Sequence, residues 1–195
     1  MTSIHPRLSV HRDAVRPPLP EGDLWVFAYG SLLWNPGFDY LEHQEAHLFG
    51  YHRALCVWSH VHRGTAEAPG MVLGLDRGGS CRGRAYRVAS KDRQAAADYL
   101  YAREMPTPVY RARLHPMRLA DGRRIRALTF IVDHGHPQYA GRISPAQAAN
   151  HVAGAEGLSG SSRDYLFNTL RHLQALGIQD PHLQAVADAL PDRHQ

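Results

Sequence analysis

Between Leu24 and Val132 the apolar residues fall into short runs, and only one segment between them has helical spacing. Leu24-Trp25-Val26-Phe27-Ala28-Tyr29 is apolar throughout and stops at Gly30, the pattern of a strand buried on both faces. Strand-like runs follow at Ala46–Trp58, Met71–Asp76, Cys81–Val88, Val109–Leu119 and Ile125–Val132. Turn residues separate several of them, at Ala68-Pro69-Gly70, Arg77-Gly78-Gly79-Ser80 and Asp121-Gly122; the last is a hairpin signal. The interrupting helix is predicted over Asp92 to Glu104, with Ser90 or Asp92 at its start and Pro106 as its stop. Three more helices follow the strands. Ser144-Pro145 opens one, Ser162 to Leu176 ends at Gly177, and Asp180-Pro181 begins a short last one. Strands first and helices last exclude a doubly wound parallel sheet. They predict an α+β fold with a mostly antiparallel, barrel-like sheet.

A chain of 195 residues suits one domain. Pro17-Pro18-Leu19-Pro20-Glu21-Gly22 punctuates its start, so residues 1–22 are expected as a flexible tail before a single domain over 23–190. No run approaches the roughly 20 apolar residues a bilayer demands, so no membrane partner is expected. Met1 to Pro20 lacks the apolar stretch of a secretory signal. The two cysteines, Cys56 and Cys81, form no CxxC pair and read as buried thiols in a reducing, cytoplasmic setting. The sequence leaves the oligomeric state open.

The net charge is +4, carried by 21 arginines and one lysine. Arg111 to Arg126 holds six arginines and one acid. The alternation Arg111-Ala112-Arg113-Leu114 reads as the solvent face of a strand, and no nucleic-acid partner is expected from it. A basic cleft for a small anion fits the same residues.

Four groups of residues carry possible chemistry. Tyr29-Gly30-Ser31-Leu32-Leu33 follows the buried strand, and its backbone amides form either a plain tight turn or a concavity for an anion. Ser31 lacks the flanking pattern of a nucleophile elbow. Glu104, beside Arg103, ends the predicted helix at the negative end of its dipole; burial there would raise its pKa and suit it to general base work, whereas exposure would make it a surface glutamate. His60-Val61-His62 and His134-Gly135-His136 share the spacing that places two rings on one strand face, but no HExxH or cysteine cluster supplies further metal ligands. Most of the tyrosines and tryptophans read as core or pocket wall.

Beyond these features, the residues resemble a known family. Leu24-Trp25-Val26-Phe27-Ala28-Tyr29-Gly30-Ser31-Leu32-Leu33-Trp34 looks like the opening of the ChaC-type gamma-glutamylcyclotransferases. The resemblance continues through Ser59-His60-Val61-His62-Arg63-Gly64, Gly79-Ser80-Cys81-Arg82-Gly83-Arg84-Ala85-Tyr86-Arg87, Tyr99-Leu100-Tyr101-Ala102-Arg103-Glu104 with Tyr110-Arg111, and Gly157-Leu158-Ser159-Gly160 with Tyr165-Leu166-Phe167. These ordered blocks span about residues 23–178. The resemblance implies a small β-barrel with peripheral helices and conversion of glutathione to 5-oxoproline and cysteinylglycine, without metal or cofactor. It implies Glu104 as the catalytic glutamate and Ala28, Tyr29, Gly30, Ser31, Leu32 and Leu33 as the substrate-binding loop, with Tyr110 orienting the amine or shaping the pocket. The chain departs from the family at Ala28, where relatives often carry glycine, and at Met105-Pro106-Thr107-Pro108-Val109, where two prolines stiffen the loop after the glutamate. Other readings are a cyclotransferase for a different γ-glutamyl compound, a basic nucleic-acid-binding protein and a non-catalytic module.

Overall fold

The structure is a computed structural model that describes residues 16–191. Five strands close into a barrel: β1 (Leu24–Ala28), β2 (Glu42–Ser59), β3 (Gly70–Val88), β4 (Tyr110–Leu119) and β5 (Arg124–Val132), in the order β1-β3-β2-β4-β5. Neighbours pair antiparallel except where β5 meets β1 and β3 in parallel, at Trp25–Ala127, Val26–Leu128 and Leu75–Ile131. The sheet is therefore mostly antiparallel, as expected. All five residues of β1 are buried, because it runs between β3 and β5 and has no edge to solvent.

The runs Met71–Asp76 and Cys81–Val88 were expected as two strands, but they are one strand, β3. Gly78 and Gly79 take φ of +93° and +66°, opposite Gly50 at +87° on β2. The ladder slips there, from Phe49–Ser80 to Tyr51–Arg77, and resumes. Glycine accommodates these left-handed angles, so the pair forms a bulge that bends a long hairpin and does not end it. Gly122, at +91°, does close the β4–β5 hairpin predicted at Asp121-Gly122.

The helices follow the sequence signals closely. α1 (Arg93–Glu104) stops one residue before Met105-Pro106. Asp92 occupies its N-cap position without a side-chain capping bond, and the amide of Ser90 donates to Asp23 instead. α2 (Pro145–Gly154) opens with a capping box in which Ser144 and Gln147 bond reciprocally. A short ladder of β6 (Glu156–Gly157) and β7 (Gly160–Ser161) then leads into α3 (Ser162–Ala175), capped by Ser161. α4 (Pro181–Asp188) is capped by Asp180. α2, α3 and α4 pack on one another, and α2 and α3 also pack on β3.

Most of the proposed tail, residues 1–15, lies outside the described residues. The part that is described rests on the domain: Arg16 pairs with Asp98 at 3.2 Å and sits 4.5 Å over the Tyr101 ring, while Leu19 packs on the core. No helix among the described residues is long and apolar enough to cross a membrane. Cys56 and Cys81 are free and buried, and burial pushes their thiols up to about 12 and about 11.

One buried charge ties the barrel to its helices. Arg53 on β2 is 7% exposed. Its Nε donates to the Tyr29 carbonyl at 2.6 Å, one Nη to the Arg82 carbonyl at 2.6 Å, and the other Nη to the Asp180 carboxylate at 3.2 Å. Removing one partner of a buried pair strands the other charge. Arg53→Met is therefore expected to lower unfolding stability by about 3–5 kcal/mol, read from denaturant melts.

Candidate active site

β1 leaves the barrel at Ala28, and the chain enters a single 3-10 turn over Ser31–Leu33. Space is tight at its start. A Cβ on Gly30 would come within 3.1 Å of the Tyr165 hydroxyl and 3.6 Å of Leu73, so a side chain there would push the turn away from α3 and β3. The Leu33 amide closes the turn on the Gly30 carbonyl at 2.9 Å. The amides of Ser31 and Leu32 stand at the open N-terminal end of the turn, where a helix has no internal acceptors to offer.

α1 delivers Glu104 and Arg103 to this turn. The Arg103 guanidinium spreads over four groups: Ser31 Oγ at 2.9 Å, the Asn35 carbonyl at 2.6 Å, the Tyr99 hydroxyl at 2.9 Å and Glu104 Oε1 at 3.2 Å. Turn and carboxylate are thus fixed to each other through one cation. Ser31 Oγ is the acceptor in this contact. Burial raises the Glu104 carboxyl above its ordinary value, and the neighbouring Arg103 pulls it part of the way back. Burial, with negative charge nearby, also holds the Tyr29 and Tyr110 phenols well above theirs, so both stay neutral donors. Tyr29 donates to the Phe130 carbonyl at 3.1 Å and Tyr110 to the Leu73 carbonyl at 2.7 Å.

These groups line a cavity of about 520 Å³. Of the residues singled out from the sequence, it brings together Tyr29, Gly30, Ser31, Leu32, Glu104 and Tyr110. Ala28 and Leu33 lie in the core behind it, at 0% and 3% exposure. Ala28 pairs with Arg84 in the sheet, and the Leu33 amide is already taken. Their part is to hold the turn.

The opposite wall comes from residues that sequence reading named only within longer blocks. The loop after β2 is zipped to the β6–β7 ladder by Leu158 N–H to the Val61 carbonyl and Ser159 N–H to the His62 carbonyl, both at 2.9 Å. His62 Nδ1 also meets Ser159 Oγ at 2.9 Å. This zipper carries Arg63 to the cavity. Its guanidinium donates to the Ser159 carbonyl and lies 5.2 Å over the Tyr165 ring. Burial penalises its charge and lowers its pKa, a penalty that an anion seated beside it in the cavity would offset. A lone arginine beside glycines gives little sequence signal, because its role depends on a ladder formed some 95 residues later.

The cavity thus offers a largely buried carboxylate, a half-buried guanidinium, neutral phenols and open amides. Among the described residues no group of three or more His, Cys, Asp or Glu could hold a metal ion. His62 lines the cavity beside Arg63, bonded to Ser159, whereas His134 is bonded to Asp76 on the far side of the barrel wall. The arrangement suits proton transfer on a zwitterionic substrate whose carboxylates meet arginine and amides.

Comparison with known proteins agrees with this reading. The family model described as ChaC-like protein matches residues 24–192. The glutathione-specific gamma-glutamylcyclotransferase of Escherichia coli K12 is 39% identical over 163 residues, covering 84% of this chain and 71% of that protein. Glutathione-specific gamma-glutamylcyclotransferase 1 of Mus musculus is 32% identical over 195 residues, covering 95% and 87%. The crystal structure of a yeast cyclotransferase specific to glutathione superposes with a TM-score of 0.79 at 20% identity, covering 89% of this chain and all of that one, and shows the same fold. On this sequence match and this architecture, the chain belongs to the ChaC-like family of gamma-glutamylcyclotransferases.

Proposed function

We propose that this chain degrades glutathione by closing its γ-glutamyl group into 5-oxoproline and releasing cysteinylglycine, within one domain over residues 23–190. The observation that carries the reading is Glu104: a carboxylate with a raised pKa, on the cavity wall, tied through Arg103 to the turn that begins at Tyr29. Relatives named for this activity support the substrate. Two free, buried thiols fit a reducing, cytoplasmic compartment.

The reaction is intramolecular, so the first task is to hold the folded conformer. Arg63 and the open amides of Ser31 and Leu32 take the substrate's carboxylates at opposite ends of the cavity. Glu104 removes a proton from the α-ammonium, which frees the nitrogen lone pair. That nitrogen attacks the γ-carbonyl carbon, the new C–N bond closes the five-membered lactam, and the amide C–N bond to cysteine breaks. Two protons leave the α-nitrogen overall and two arrive on the departing cysteinyl nitrogen. Glu104 therefore acts as base and then as acid, and ends as it began. Neutral Tyr110 and Tyr29 wall the reacting centre without competing for the proton.

Glu104→Gln keeps the shape and removes the proton acceptor. It is expected to abolish formation of 5-oxoproline from reduced glutathione while its thermal midpoint stays at or above the parent's; substantial turnover by the folded variant would remove Glu104 from the mechanism. Faster turnover of γ-glutamyl dipeptides than of glutathione would instead reassign the substrate.

The base works only when ionised, so activity falls as pH drops through its pKa. Since burial raises that pKa, the acid limb of kcat/KM should lie above the ordinary carboxylate range. Arg103→Gln removes the cation that lowers it, so the limb should move to still higher pH; a limb that does not move would leave Arg103 as a packing residue only. Arg63→Gln should raise KM for glutathione about 10- to 100-fold, with a smaller change in kcat, from the loss of a charge-assisted contact.

A further inference from the structure

A second cavity lies on the outer face of the same wall. β4 and β5 present alternate side chains to opposite faces. Tyr110 and Phe130 face the catalytic cavity, whereas Arg111, Arg113 and Ile131 line a separate cavity of about 260 Å³. Tyr51, Arg77, Asp133 and His134 complete it, and the two cavities have no residue in common.

The charge in this outer cavity is unbalanced. Three arginines line it with one carboxylate, Asp133, which Arg111 engages at 2.6 Å. Among the described residues neither Arg77 nor Arg113 forms an ion pair. The three guanidiniums are exposed, so water screens much of their repulsion, and an anion seated between Arg77 and Arg113 would relieve what remains.

The cluster is also built on a fixed base. Asp76 lies beneath it at 4% exposure. Its carboxylate accepts from the Arg77 amide at 2.7 Å and the Tyr139 hydroxyl at 3.0 Å, and meets His134 Nε2 at 2.5 Å. The His134 ring stacks on Tyr139 with centroids 4.3 Å apart. One buried carboxylate thus fixes both the His134 ring and the backbone from which Arg77 projects. The adjacent Gly78-Gly79 bulge bends β3 at this point.

The rest of the arginine run is not part of this surface. Arg123 bonds to Asp121 and Glu42 and lies over Trp25, and Arg126 donates to the Leu114 carbonyl. Arg118, Arg124 and Arg126 also form no ion pair among the described residues, but none of them lines the cavity. What sets Arg77 and Arg113 apart is the concavity they share, whose size matches a compact anion.

We propose that Arg77 and Arg113, backed by Arg111 and His134, form a second ligand site for a phosphoryl dianion, either inorganic phosphate or the phosphate of a small ester. Two unpaired guanidiniums match two negative charges, and the planar donor fork of arginine fits phosphate oxygens. The Tyr51 ring on the cavity wall offers an apolar face to an ester's organic part.

The test is titration of the full chain at low salt with inorganic phosphate and, separately, with adenosine monophosphate, by calorimetry and by the rise in thermal midpoint. The expected result is saturable binding that weakens at least tenfold in Arg77→Gln/Arg113→Gln and is unaffected by Arg63→Gln. Turnover of glutathione without added phosphate should be unchanged in the double variant. Equal affinity for the two probes would assign the site to the free ion, and tighter binding of the nucleotide would assign it to an ester; both uphold the site. Several results would overturn it: no saturable binding by a folded parent, binding indifferent to the double substitution, loss of binding in Arg63→Gln, or a long oligonucleotide that binds with a steep salt dependence where phosphate does not.

Discussion

Arg53 is the interaction on which the rest of the architecture rests. A guanidinium almost sealed from water must find acceptors for its donors, and here they come from three separate parts of the chain. The Tyr29 carbonyl lies one residue beyond β1, just before the 3-10 turn, the Arg82 carbonyl belongs to β3, and Asp180 caps α4. One side chain thus fixes where the chain leaves the barrel, which strand lies beside that exit, and how the last helix docks. Asp180 serves twice, since its other oxygen accepts the Leu183 amide of its own helix. The exit from β1 is therefore set before any residue of the cavity is considered.

Arg103 repeats the device nearer the surface. It gathers Ser31, Asn35, Tyr99 and Glu104, so the end of α1 and the turn after β1 behave as one piece. The carboxylate sits where two effects oppose its charge, burial and the negative end of the helix dipole, and one adjacent cation limits the penalty. Burial raises the carboxyl and Arg103 draws it part of the way back, the balance that would suit Glu104 to the proton transfer proposed for it. The barrel wall behind it separates two environments by alternation alone, with phenol and phenyl rings inward and guanidiniums outward on the same strands.

Much of this was legible in the sequence because it depends on local chemistry. The unbroken apolar run of β1, Ser144-Pro145, the glycine after α3 and Asp121-Gly122 each act within a few residues, and each appears where its chemistry predicts. Arg77-Gly78-Gly79-Ser80 was misread because glycines that permit a turn equally permit a bulge, and only the partner strand, with Gly50 opposite, decides between them. In the site, Tyr29 to Leu32, Glu104 and Tyr110 could be named from motif and resemblance. Arg53, Arg63 and the Asp76–His134–Tyr139 cluster could not be assigned roles, because their partners lie about 24 to 127 residues away and no spacing rule links them. Ala28 and Leu33 show the converse: a contiguous motif carries both the residues that face the cavity and those that hold the backbone from behind.

The burial of the two cysteines has a chemical consequence for a protein proposed to act on a thiol. Disulfide exchange needs a thiolate and access to it. With their thiols pushed up to about 12 and about 11 and sealed in the core, Cys56 and Cys81 supply neither. Glutathione disulfide would find no partner on this chain with which to form a mixed disulfide. On the proposed function, the protein would stay chemically indifferent to the redox state of its substrate pool, and its output would follow the amount of reduced substrate without covalent feedback on its own side chains.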